Sequence, residues 1–206
     1  MQKPRILVAV PYHRAKLYSL KHLLSRVEEL TFENKTVLMR WDLKEYGGQN
    51  NVKIQREYFR RIALAGTYTH LYFFGVDTIP PKDVLERLLS HDKAIVGGVY
   101  WGRHNADNGN IDGAVAWKHD KTQEEQKNMF LSMNKLIEVD GMGMDCVLFR
   151  IDVLEKISWL DWVQNDDDYP YYDRAKKEGY KTFLDTNVQC RHYFSENGYS
   201  YLAKKY

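Results

Sequence analysis

Apolar residues fall along the chain in short blocks of two kinds. Continuous runs rich in Val, Ile, Leu and aromatic residues, "RILVAV" (5–10), "KTVLMRW" (35–41), "THLYFF" (69–74) and "KAIVGGVYW" (93–101), read as strands covered on both faces. Between them, apolar residues recur every three or four positions, as a helix with one buried stripe requires. Over 15–30 that stripe is Leu17, Leu20, Leu24 and Val27 with Leu23 beside it, and over 52–65 it is Ile54, Tyr58, Ile62 and Ala65. Pro80 and Pro81 open a third helix over 81–91, where proline's missing N–H costs least. The first half is βαβαβαβ.

The second half changes character. Residues 102–134 are polar, with "GAVAW" (113–117) as the one strand-like island, and predict a long, mobile excursion. Order returns over 135–157 as a short strand, a glycine turn, a strand through Cys146 to Phe149 and a helix begun near Asp152. After "SWLDWV" (158–163) come an acidic loop, a helix to Lys177 stopped at Gly179, and strands around Thr182 and Val188. The sum is an α/β fold with a mixed sheet.

Composition narrows the function. With 206 residues and 44% hydrophobic content the chain can bury the core of a single domain. Lys and Arg number 30 against 28 Asp and Glu, and a net charge of +2 gives no broad electrostatic grip on nucleic acid. No apolar run approaches the roughly 20 residues that cross a bilayer, and the opening residues lack a cleavage site, so an unexported, cytoplasmic protein is expected (host cytoplasm for a viral source). Cys146 and Cys190 sit in strand-like contexts and read as buried structural thiols. The glycine-rich phosphate loops of dinucleotide and P-loop enzymes are absent.

Ligands of open α/β sheets gather beyond the carboxyl ends of the strands. Pro11, Tyr12 and His13 follow the first strand, Asp42 the second, Asp77 the third, and Tyr100 to Arg103 the fourth. Two carboxylates, a tyrosine and an arginine on one edge suit a nucleotide whose diphosphate is neutralised by a divalent cation. Oxygen and imidazole ligands without thiolates favour Mg²⁺ or Mn²⁺.

Five blocks in order, "ILVAVPYHR", "HLYFFGVDTIPPKDVLERLL", "AIVGGVYWGR", "VDGMGMDCVLFRIDVLEKI" and "DDDYPYYDRAKKEGYKTFLDTNVQCRHY", resemble GT-A fold glycosyltransferases that use nucleotide-diphosphate sugars. The resemblance implies a nucleotide-sugar half over 1–101 and an acceptor half over 135–206. It sets "GVD" (75–77) on the D-x-D motif, with Gly75 in place of the first acid and Asp77 as the metal ligand. His192 matches the late histidine that shares the metal in many relatives. Asp167 and Asp168 match the Glu-Asp pair at the head of the acceptor-side helix, whose second acid is the base of inverting members. Arg56 resembles the arginine of the nucleotide-binding block; Pro11, Tyr12, Asp42 and Val76 fall on the nucleotide side, and Trp101, Arg103, Gly143 and Asp145 on the substrate side. The implied partners are a nucleotide-diphosphate sugar and a glycan, glycoprotein or lipid acceptor.

Plainer roles fit the same residues locally. Asp77 serves as a turn acid, His192 as a hydrogen-bonded strand histidine, and 166–168 as a helix cap with a solvated acidic turn. Tyr12 packs on the sheet edge, and the tyrosines of "DYPYYD" serve as core or as sugar platforms. Three functions follow: a metal-dependent glycosyltransferase, a glycan-binding or structural protein of the same fold without turnover, and a sugar-nucleotide nucleotidyltransferase, whose glycine-rich loop is missing after the first strand.

Overall fold

The computed structural model describes residues 3–12, 14–41, 49–104, 111–132, 134–161, 168–193, 195 and 199–200. The first half lays down β1 (Ile6–Tyr12), α1 (Leu20–Glu29), β2 (Lys35–Trp41), α2 (Gln49–Ala65), β3 (His70–Phe74), β4 (Thr78–Ile79), α3 (Val84–Ser90) and β5 (Ile95–Val99). The second adds β6 (Trp101–His104), β7 (Ile111–Ala114), β8 (Ala116–Trp117), α4 (Gln123–Leu131), β9 (Leu136–Val139), β10 (Gly141–Met142) and β11 (Cys146–Arg150). It ends with α5 (Ile151–Lys156), α6 (Asp168–Lys177), β12 (Thr182–Gln189), β13 (Arg191–Tyr193) and β14 (Tyr199–Ser200).

A 7-stranded sheet in the order β2-β1-β3-β11-β5-β12-β9 forms the centre. β1 runs parallel to β2 and β3, and β12 to β5. β11 is antiparallel to both its neighbours, and β9 to β12, so the fold is the mixed-sheet α/β class that the sequence blocks predict. Along β1, Leu7 and Ala9 enter one core layer while Ile6, Val8 and Val10 enter the other, the period-two alternation of a strand covered on both sides. Aromatic rings fill the first layer: Trp159 stacks on Tyr171 with centroids 4.2 Å apart and meets Phe73 edge-on at 5.4 Å. Truncating a fully buried ring such as Trp159 to alanine costs about 3–5 kcal/mol.

Several sequence expectations are revised. Residues Arg14–Ser19 form a 3₁₀ helix with a kink at Lys16, and α1 begins only at Leu20. With about three residues per 3₁₀ turn, the stripe shifts: Leu23 is buried, Leu20 and Val27 pack on the core, and Leu17 and Leu24 are exposed. On α2 the buried positions among the described residues are Lys53, Gln55, Arg56, Glu57, Phe59 and Ala63, whereas Tyr58 is exposed. The inward face of this helix is largely polar, which hides it from a hydrophobic count. β1 continues through Pro11 and Tyr12 because it outruns β3 there and needs no second neighbour, a setting in which a strand tolerates proline. Pro80 and Pro81 precede α3 as a turn, with the Val84 N–H donating to the Pro81 carbonyl at 3.2 Å. β12 is one strand; a register shift between Asp185 and Gln189 absorbs its extra residues. The described part of 102–134 carries β7, β8 and α4, the last started by a reciprocal capping box between Thr122 and Glu125.

Beyond the central sheet, β4 pairs with β13, and β13 with β14. Both cysteines are free and buried. Among the described residues no helix is long and apolar enough to cross a membrane.

At the opposite end of β3 from the site described below, burial and then the charge of Arg150 push the His70 imidazole down to about 4, from an ordinary value of 6.5. The folded chain therefore resists a proton that the unfolded chain accepts. The stability contributed through His70 is complete above about pH 6.5 and is lost as the pH drops toward about 4. Melting curves between pH 4 and 7 should show His70→Gln gaining on the wild type as the pH falls; a constant difference would count against a neutral, half-buried ring.

Candidate functional site

The strands that run out to one edge deliver the site. At the end of β3 the chain turns through Gly75 and Val76 into Asp77, whose side chain is 4% exposed. Three groups reach Asp77 Oδ2: Lys16 Nζ at 2.8 Å, His192 Nε2 at 3.5 Å and the Tyr18 hydroxyl, which donates at 3.4 Å. Burial alone would raise the Asp77 carboxyl, but His192 and Lys16 outweigh it and hold it below the usual carboxylate range. Asp77 Oδ1 is buried with no hydrogen-bond partner among the described residues.

His192 sits on β13, opposite Thr78 of β4, so a strand pairing sets its approach to Asp77. Its Nδ1–H donates to the Trp101 carbonyl at 2.9 Å. A neutral ring then aims its Nε2 lone pair at the carboxylate, and two electron-rich atoms in contact call for a proton or metal cation between them. Burial opposes protonation of His192, yet contact with Asp77 and the Trp101 carbonyl raises its pKa overall.

A divalent cation fits this pair in part. Carboxylate and imidazole are both ligands, with bonds of roughly 2.0–2.2 Å, and the 3.5 Å between Asp77 Oδ2 and His192 Nε2 is a span that one ion bridges. The partnerless Oδ1 adds a second donor atom. Among the described residues no set of three or more His, Cys, Asp or Glu side chains assembles, so the remaining ligands would have to be phosphate oxygens and water, as is usual for Mg²⁺.

A second cluster adjoins the first. Arg56, on the polar buried face of α2, places Nη1 2.6 Å from Asp168 Oδ1 and Nη2 3.9 Å from Asp145 Oδ1, with its guanidinium 5.7 Å over the Phe73 ring. Asp168 is the first residue of α6, where an acid suits the helix dipole. Tyr100 links the clusters: its ring meets His192 edge-on at 5.5 Å, and burial, then the negative charges of Asp145 and Asp168, push its phenol well up. Gly143 leaves room for that ring, because a Cβ there would lie 1.7 Å from the Tyr100 hydroxyl.

The structure thus brings Asp77 to His192, and Arg56 to Asp168 and Asp145. Other predicted residues are sited differently. Tyr12 is fully buried with Trp41 4.3 Å from its ring, and Val76 is buried in the core. Pro11 remains half-buried at the end of β1. Trp101 is buried, with its indole N–H donating to Gln189 Oε1 at 3.4 Å, and it acts through its carbonyl as the anchor of His192. Gly143 makes space for the Tyr100 ring. Arg103 lies on β6 with its side chain outside the described part, and His13, Asp42 and Asp167 lie outside the described residues. Two residues without a motif join the site. Lys16 is hidden inside an expected amphipathic helix. Gln55 is legible only as a polar residue on a buried helix face: its Oε1 accepts from the Tyr12 N–H at 3.1 Å and extends the bonding of β1 beyond β3.

Tyr169, which follows Asp168 in α6, borders a shallow surface cleft lined also by Trp117, His119, Asp140, Asp173 and Lys176. Trp117 and Tyr169 stack at 6.0 Å, and Tyr169 is 48% exposed. Tyr171 and Tyr172 of the same segment are core residues.

No family model and no curated protein matches the chain. Among solved structures, it is similar to A197 from STIV, with a TM-score of 0.65 and 18% identity over 98% of this chain and 92% of that one. It is also similar to S. aureus TarS, with a TM-score of 0.52 and 11% identity over 95% of this chain, which spans 36% of TarS. At these identities the likeness is one of fold, and the fold is of the GT-A type.

Proposed function

We propose that this chain is an inverting glycosyltransferase that moves a sugar from a nucleotide-diphosphate sugar to an acceptor hydroxyl. The observation that carries the reading is the meeting of Asp77 and His192 at the strand ends of a GT-A type sheet, with a second carboxylate, Asp168, held nearby by Arg56. Asp77 and His192 would hold Mg²⁺ or Mn²⁺ with the donor's diphosphate. When bound, such an ion stabilises the negative charge that grows on the departing nucleoside diphosphate.

The chain's own residues supply the rest. Lys16 adds a positive charge beside Asp77. Arg56 fixes the Asp168 carboxylate in place through Oδ1. Asp168 takes the acceptor's hydroxyl proton as the new bond forms from that oxygen to the anomeric carbon and the bond from the anomeric carbon to the phosphate oxygen breaks. The bond electrons leave with the diphosphate. The exposed ring of Tyr169, stacked on the half-buried Trp117 with Asp140 and Lys176 beside the pair, suits a sugar ring and supports a glycan acceptor.

A specific observation favours a second reading. The Lys16 ammonium already neutralises Asp77 at 2.8 Å, which suits a protein of this fold that binds a glycan or nucleotide without turnover. A screen of sugar nucleotides for Mn²⁺-dependent release of nucleoside diphosphate separates the two readings, since release from any donor rejects the second.

For the active chain, calorimetry should show Asp77→Asn and His192→Ala each weakening Mn²⁺-dependent UDP or GDP binding about 10–100-fold. Unchanged binding in both would remove the metal assignment. Asp168→Asn should lower kcat by about 10²–10⁴ with donor KM little altered. Full turnover in that variant alongside loss in Asp167→Asn moves the base by one residue. Tyr169→Ala should raise acceptor KM several-fold while donor hydrolysis is unaffected; an unaltered acceptor KM places the acceptor elsewhere.

A further inference from the structure

We infer that Asp145 is the second carboxylate of the donor site, delivered from the turn before β11 into the space where the D-x-D pattern carries its first acid. On the glycosyltransferase reading, on which this rests, Gly75 is then the counterpart of Asp145 rather than the loss of a ligand.

Gly75 is a glycine for lack of room. Its backbone lies outside the left-handed region, so its conformation does not demand glycine. A Cβ at position 75 would fall 2.4 Å from Asp145 Cβ, 2.5 Å from its Cγ and 3.0 Å from its Oδ1. The carboxylate of Asp145 thus occupies the volume that a side chain at 75 would enter. The two residues are also bridged through the backbone, the Gly75 N–H donating to the Asp145 carbonyl at 2.7 Å. Only one of the two positions can carry an acid, and this chain carries it at 145.

The surroundings of Asp145 match a donor role. Its side chain is 25% exposed, against 4% for Asp77, so a ligand can reach it. Thr78 Oγ1 donates to Oδ2 at 3.5 Å, and Arg56 Nη2 stands 3.9 Å from Oδ1. These long contacts aim the group without consuming it. Thr78, which donates to Asp145, directly follows Asp77 and stands opposite His192 across the β4–β13 pairing, so Asp145 borders the Asp77–His192 pair. The ligand is a nucleoside diphosphate, held by Asp145 through its cation or through its ribose hydroxyls.

The test is a reciprocal swap read by melting temperature and by calorimetry with UDP and GDP, each in Mn²⁺ and in EDTA. Asp145→Asn keeps the shape and removes the charge: it should melt within about 2 °C of wild type and bind nucleotide about tenfold or more weakly. A loss confined to Mn²⁺ assigns the contact to the cation, and a loss in both media assigns it to the ribose. Gly75→Asp should lower the melting temperature by about 2–10 °C through the collision. Asp145→Gly in that background should restore both the melting temperature and most of the affinity, whereas Asp145→Ala should not, because its Cβ remains. Wild-type affinity in Asp145→Asn, or a double variant that melts normally yet does not bind, overturns this inference alone. A wild-type chain that binds neither nucleotide in either medium overturns the glycosyltransferase reading and this inference with it.

Discussion

A carboxylate withdrawn from water must be compensated at once, and Asp77 is the residue on which this demand falls hardest. Even after relaxation, burying an ion costs several kcal/mol unless opposite charge and hydrogen bonds meet it. The compensation comes from both ends of the chain: Lys16 from the 3₁₀ segment after β1, and His192 from β13 near the other terminus. The backbone follows the same route, with the Tyr193 N–H donating to the Asp77 carbonyl at 2.7 Å. Pairing of β4 with β13 makes this junction part of the fold, so the group with the greatest need for a cation is also where distant segments are joined.

Helix α2 connects that junction to the second cluster. Three consecutive buried polar residues on it serve three separate parts of the molecule. Gln55 bonds the end of β1, Arg56 the head of α6, and Glu57 the turn after α5, where Ser158 Oγ donates to it at 2.9 Å and the Trp159 N–H at 3.2 Å. The helix therefore holds Asp168 by the same kind of bond that holds the chain together.

The inner strands β1, β3 and β5 were legible in the sequence because they are covered on both faces and so read as unbroken apolar runs. Asp77 was legible because an acid ending such a run has few reasons to be there. His192 and Asp168 came only with the family resemblance, since an imidazole in "CRHY" and an acidic turn before a helix have ordinary uses. The stripes on α1 and α2 were misassigned for two reasons: a 3₁₀ segment shifts the period, and polar side chains stand on the buried face. The capping box of Thr122 and Glu125 was in plain view, yet the polar composition around it masked α4. Lys16 carries no signature at all, since its place is set by a kink that only the three-dimensional path reveals.

The reversed direction of β11 has a further consequence. In a wholly parallel sheet every residue offered to a ligand follows the strand that carries it. β11 runs the other way between β3 and β5, so it brings to that edge the residue that precedes it, Asp145. Polar side chains at this rim are thus recruited from both chain directions, and sequence order ceases to mirror spatial order. Pattern searches that expect two acids within one tripeptide will pass over proteins built this way, whereas comparison of side-chain positions in space will group them together.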